Sequence, residues 1–109
     1  MTDRTDRELL TLAAKAAGIG GPIVEAGRIL YICNEQSPLG IWAPLTDDGD
    51  ALRLAVKLGI SVAQWMGNVS SLLPRANKEF NEEHGDDAHA ATRRAIVRAA
   101  AALAEGKAP

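Results

Sequence analysis

The densest group of chemically capable side chains in this 109-residue sequence is His84-Gly85-Asp86-Asp87-Ala88-His89, with two imidazoles and two carboxylates in six positions. Such groups can hold zinc or a non-haem metal. The spacing argues for something simpler. Cys33 is far away in the chain, no His-x3-His pair is present, and Gly-Asp-Asp ahead of an alanine-rich run is an ordinary helix entry. A second acidic cluster, Asp47-Asp48-Gly49-Asp50, lacks the alternating ligands and distal Glu of a calcium-binding loop. Its carboxylates suit capping and the positive end of a helix dipole, worth about 1–2 kcal/mol in all. Neither cluster is expected to bind a metal, and no cofactor is expected.

Three arginines, Arg93, Arg94 and Arg98, fall within six positions near the C-terminus. Arg94 and Arg98 are four apart and share a helix face, and guanidinium groups suit phosphates and acidic partners. No aromatics are interleaved with them and the formal net charge is −2, so nucleic acid is disfavoured and a solvated charged face is the simpler reading. Trp42 and Trp65 are two of only four aromatic residues. Trp42, just before Pro44 and a helix cap, is expected to staple its loop to the core. Trp65 is the better interface candidate, since Trp is favoured in interface centres, with burial as a large core residue the equal alternative. Trp65, Arg93, Arg94 and Arg98 are therefore the candidate partner-binding residues. Cys33 lies in the apolar run Ile29-Leu30-Tyr31-Ile32-Cys33 and is expected to be a small buried hydrophobe. Gly-x-Ser-x-Gly, Walker, Gly-x-Gly-x-x-Gly and Cys-x-x-Cys patterns are absent, and no nucleophile stands with a base. Catalytic activity is not expected.

The elements that must position these residues follow from periodicity. Thr5 and Glu8 fit a capping box opening a helix from about Asp6 to Ala17. Leu9, Leu12, Ala13, Ala16 and Ala17 form its apolar stripe and Gly18 is its stop. Ile23-Val24-Glu25 and Arg28 to Cys33 read as a strand pair joined at Ala26-Gly27. Thr46 or Asp47 caps a second helix ending at Gly59. Ala51, Leu54, Ala55 and Leu58 line one of its faces, with Leu52 and Val56 widening it enough to expect cover on more than one side. Ser61 to Met66 reads as a strand and Gly67-Asn68 as a turn. For Val69 to Glu83, a strand over Lys78 to Glu82 competes with a helix begun at Pro74 and marked by Leu72, Ala76 and Phe80; the strand is favoured because it completes a sheet. The last helix runs from about Ala88 to Glu105, with Thr92, Ala95, Ile96, Ala99 and Leu103 on one stripe. The expected fold is one α+β domain over residues 1–109, a small antiparallel sheet with three helices in the order αββαββα.

Three blocks carry a family resemblance: Asp6 to Gly18, Trp42 to Ile60 and Ala90 to Ala101. In the same order, they are similar to the phage ABA-sandwich domain, a group of small proteins of tailed phages and prophages. The resemblance implies an α/β/α sandwich, a phage or prophage origin and a place in the cytoplasm of the bacterial host. It implies no activity. Segments 19–41 and 61–85 depart from it and are where a particular function would reside. The charged N-terminus without an apolar stretch is not expected to be a signal peptide, and no run of about 20 apolar residues is present to span a membrane. The expected role is a non-enzymatic binding protein that occupies a surface of a bacterial host protein, such as an anti-CRISPR-like inhibitor of a defence complex. A nucleotide-signal binder using the arginines and a virion accessory protein are the alternatives. A homodimer through a strand edge or the alanine face of the last helix is also considered.

Overall fold

The computed structural model describes residues 5–27, 29–35, 40–73 and 78–106. The chain is α+β, with three helices and two antiparallel three-stranded sheets. Helix α1 (Asp6–Ala17) begins at Thr5. The Thr5 hydroxyl accepts from the Glu8 amide at 3.1 Å and the Glu8 carboxylate accepts from the Thr5 amide at 3.3 Å, which together satisfy two orphan donors. Gly18 ends the helix in the left-handed conformation, and the Ile19 amide donates back to the Ala14 carbonyl.

The first sheet has the order β1 (Ile23–Ala26), β2 (Ile29–Cys33), β3 (Ile41–Trp42). Leu30 and Ile32 point inward from β2, together with Trp42 of β3. Gly21 enters β1 with φ +134°, and a Cβ there would stand 2.0 Å from the Cys33 carbonyl oxygen, so only glycine lets the two segments meet.

Helix α2 (Asp48–Leu58) starts at Asp47, whose carboxylate accepts from the Asp50 amide at 2.8 Å. The Asp50 side chain turns inward instead of capping. It is buried, accepts from the Ala43 amide at 2.8 Å and meets the Arg53 guanidinium at 2.7 Å, tying the loop after β3 to the first turn of α2. Gly59 ends α2, with the Ile60 amide on the Ala55 carbonyl.

The second sheet has the order β4 (Ser61–Trp65), β5 (Asn68–Leu73), β6 (Lys78–Glu83). Along β5, Val69, Ser71 and Leu73 are buried while their neighbours are partly exposed, the alternation of a sheet covered on one face. The cover is α3 (Ala88–Gly106), and the fully buried Ser71 hydroxyl donates to the Ala95 carbonyl at 2.7 Å. α3 is the central helix: it meets α1 most extensively and also β5, β6 and α2. Its buried side chains are mostly small, including Ala91, Ala95, Ala99, Ala100, Ala101 and Ala104, which allows close approach on several sides. One continuous core joins α1, the first sheet, α2 and α3, from Leu10 and Ala13 through Ile32 and Leu54 to Val97.

Several expectations change. The single small sheet becomes two, and the order gains β3 and β5. Leu72 and Phe80, read as alternative helix positions, lie in β5 and β6, while Pro74 and Ala76 fall outside the described residues, as does Arg28. Cys33 is exposed, not buried, because the pleat of β2 turns Leu30 and Ile32 inward and sends Cys33 to the opposite face. Leu52 and Val56 are 64% and 74% exposed, since none of the described elements covers that side of α2. The alanine face of α3 is consumed inside the chain and is not free to dimerise.

Candidate interaction surface

The second sheet is built on a period of two, and this sorts its residues by function. Val62 and Gln64 of β4 share the face of Ser71 and Val69, toward α3. The Gln64 amide donates to the Thr92 hydroxyl at 2.8 Å, and its carbonyl oxygen lies 2.8 Å from His84 Nε2. Ser61, Ala63 and Trp65 face the other way, with Leu72, Ser70 and Asn68 of β5 opposite them. The β6 partners of those β5 residues are Glu79, Asn81 and Glu83. None of the described helices covers this face. It holds a shallow depression of about 420 Å³ between Trp65, Leu72 and the polar residues around them. The Ser70 hydroxyl donates to Asn81 Oδ1 at 2.5 Å, which fixes the floor between the aromatic side and the acidic side.

Trp65 is 61% exposed, so most of its indole stands on the surface. Glu79 and Glu83 bring two carboxylates to the same face, and none of the residues paired there is a cation. The surface thus combines one large aromatic, one partly buried Leu, small hydroxyl and amide groups, and negative charge. Trp65 was legible as an interface candidate from residue type. The carboxylates could have been found from the same alternation in Lys78-Glu79-Phe80-Asn81-Glu82-Glu83, which puts Glu79, Asn81 and Glu83 on one side.

The three arginines are not gathered with Trp65. Arg93 is largely buried, its Nε donating to the Leu45 carbonyl at 2.9 Å and its guanidinium bound to Asp48. Arg94 reaches Asp6 at 2.6 Å and ties α3 to the start of α1. Arg98 binds Glu82 and lies 5.1 Å over the Phe80 ring, fastening β6 to α3. Each guanidinium spans two elements and already holds a carboxylate.

The histidine and aspartate segment is also divided. His84 turns to Gln64, His89 lies 3.1 Å from Asp48, and the Asp87 carboxylate accepts from the Ala90 amide at the start of α3. Among the described residues, no group of three or more His, Cys, Asp or Glu is arranged to hold a metal ion. Hydrogen bonds from Arg93 first and His89 second hold the Asp48 carboxyl below the usual carboxylate range.

A second hollow, about 430 Å³, opens where α2, α3 and β4 meet, between Ala51, Leu52, Val62, Gln64, Thr92 and Ile96. Its lining is mostly apolar and includes the Asp48–Arg93–His89 cluster. Among the described residues, no helix is long and apolar enough to cross a membrane. Neither a family model, nor a curated protein, nor a solved structure matches this chain.

Proposed function

We propose that this chain is a non-enzymatic binding protein whose contact surface is the open face of the second sheet, centred on Trp65. The observation that supports this reading is an indole 61% exposed beside a shallow depression, on a sheet face that also bears Glu79 and Glu83. An exposed Trp ringed by polar groups is the composition of an interface centre. Two carboxylates with no cation among them disfavour nucleic acid and suit a basic protein surface with a pocket for one aromatic ring. Basic surfaces of that kind are the ones with which proteins hold nucleic acid. This supports the specific form of the proposal, an inhibitor of a bacterial defence complex in the host cytoplasm, of phage or prophage origin as the likeness to the phage ABA-sandwich domain implies. The nucleotide-binding alternative has less support, because phosphate would have to displace the acid that Arg93, Arg94 and Arg98 each already hold.

The test is expression in bacteria carrying an active CRISPR effector, with phage plaquing as the readout and affinity capture of the effector in parallel. The wild-type chain restores plaquing and retains the effector. Trp65→Ala loses both while its stability stays within about 0.5 kcal/mol of wild type, as for surface substitutions generally. Glu79→Lys with Glu83→Lys weakens capture in a salt-dependent way. A wild-type chain that restores no plaquing and retains no host protein overturns the reading.

A further inference from the structure

The free edge of β4 has features that the other sheet edges lack. β4 pairs with β5 on one side and, among the described residues, has no strand on the other. All five of its residues are exposed, and Ser61-Val62-Ala63-Gln64-Trp65 contains no charge and no proline. Edge strands ordinarily carry such residues to stop them from pairing. The opposite edge of the same sheet, β6, does carry them, in Lys78, Glu79, Glu82 and Glu83, and the outer strand of the first sheet, β1, contains Glu25. Among the described edge strands of four or more residues, β4 alone is uncharged; the other uncharged strands of that length, β2 and β5, are central and paired on both sides. Beside this edge, α2 presents Leu52, 64% exposed, to the apolar hollow between α2 and β4, and the exposed Val56 follows one turn further along the same side of the helix.

We infer that this edge is a self-association site, and that its occupant is β4 of a second copy, paired antiparallel about a two-fold axis at Ala63. In that register Ala63 meets Ala63 of the second copy, Val62 meets Gln64, Ser61 meets Trp65 and Met66 meets Ile60. No like charges oppose one another anywhere along the pairing. The added strand occupies the position beside β4, where the hollow lined by Leu52, Val62 and Ile96 receives its helix-side residues. Leu52, Val62, Trp65 and Met66 expose on the order of 500 Å² between them. With the strand backbone added, this approaches the roughly 800 Å² per partner of a standard interface. The assembly closes at two copies: the contact is isologous, and the outer edges of the resulting six-stranded sheet are both β6, whose opposed carboxylates resist further pairing. The carboxylate face proposed for a partner becomes continuous across both copies, but the inference does not rest on that proposal.

Sedimentation of the full chain over a wide concentration range tests it. The wild-type chain shifts from one to two chain masses as concentration rises. Ala63→Lys places two cations opposite each other at the axis and raises the dissociation constant at least tenfold. Ala63 is exposed, so that variant stays folded, as its circular dichroism will show. Ala63→Glu dimerises as poorly as Ala63→Lys, and an equimolar mixture of the two recovers the two-chain mass. A wild-type chain that stays at one mass up to millimolar concentration overturns the inference and leaves the edge to a strand of another protein. Unchanged dimerisation of Ala63→Lys overturns it as well. Plaquing and effector capture are read separately, so failure here is distinguishable from failure of the proposed function.

Discussion

Asp50 offers the sharpest check on how the loop after β3 is joined to α2. Its carboxylate is buried and accepts from the Ala43 amide at 2.8 Å, and Ala43 is itself buried, so no water can replace that bond. Asp50→Ala removes a charge-assisted hydrogen bond and leaves a buried N–H without a partner, a loss of about 2–3 kcal/mol. The pair with Arg53 adds little, because the guanidinium side chain is 57% exposed and such pairs contribute about 0–1 kcal/mol. The sum is about 3 kcal/mol, a large share of the stability of a domain this size. It corresponds to a fall of roughly 10–20 °C in Tm. Asp50→Asn keeps an oxygen for the Ala43 amide and loses only the charge, so its cost is about 1 kcal/mol. Thermal and urea unfolding measure both, and hydrogen exchange at the Ala43 amide shows where the loss falls. Equal costs for the two variants would refute the reasoning, because the acceptor would then count for nothing beside the charge. So would an Asp50→Ala cost below about 0.5 kcal/mol, the level of an ordinary surface change.

Two further outcomes follow from local geometry. Asp48 is held below the usual carboxylate range by Arg93 and then His89, so the unfolded chain takes up its proton before the folded one does. The stability it contributes is complete above the ordinary carboxylate value and disappears as pH falls through the lower folded one. The stability difference between wild type and Asp48→Asn, read from urea midpoints, therefore shrinks as pH falls through and below the ordinary carboxylate range, and a constant difference would refute the assignment. Gly21→Ala forces a left-handed residue and a Cβ 2.0 Å from the Cys33 carbonyl oxygen. It destabilises by more than about 2 kcal/mol, whereas Gly20→Ala, with open space around it, changes unfolding by far less.

The helices could be read from sequence because what starts and stops them is local. Thr5 with Glu8, Asp47 with the Asp50 amide, and Gly18 and Gly59 in left-handed conformations all act within five residues of one another. The strand over Lys78 to Glu82 is not local in this way: from sequence it competes with a helix and is favoured only because it completes a sheet, and the structure runs it as Lys78–Glu83. The residue type of Trp65 suited burial and an interface equally, and the fold decided it by leaving the indole exposed. Other outcomes depended on which segments meet in space. The faces of β2 that became inside and outside were set by what packed against them, and Cys33 came out exposed. Arg94 found Asp6 88 positions away and Arg93 found Asp48 45 positions away, so a row of free cations became three internal ties. Leu52 and Val56 looked like core because their pattern is apolar, but none of the described elements arrived to cover them. Hydrogen bonds that cap helices and the alternation of a pleat are properties of a few neighbouring residues, whereas burial and charge pairing are properties of pairs far apart in the chain, and only the folded arrangement brings those together.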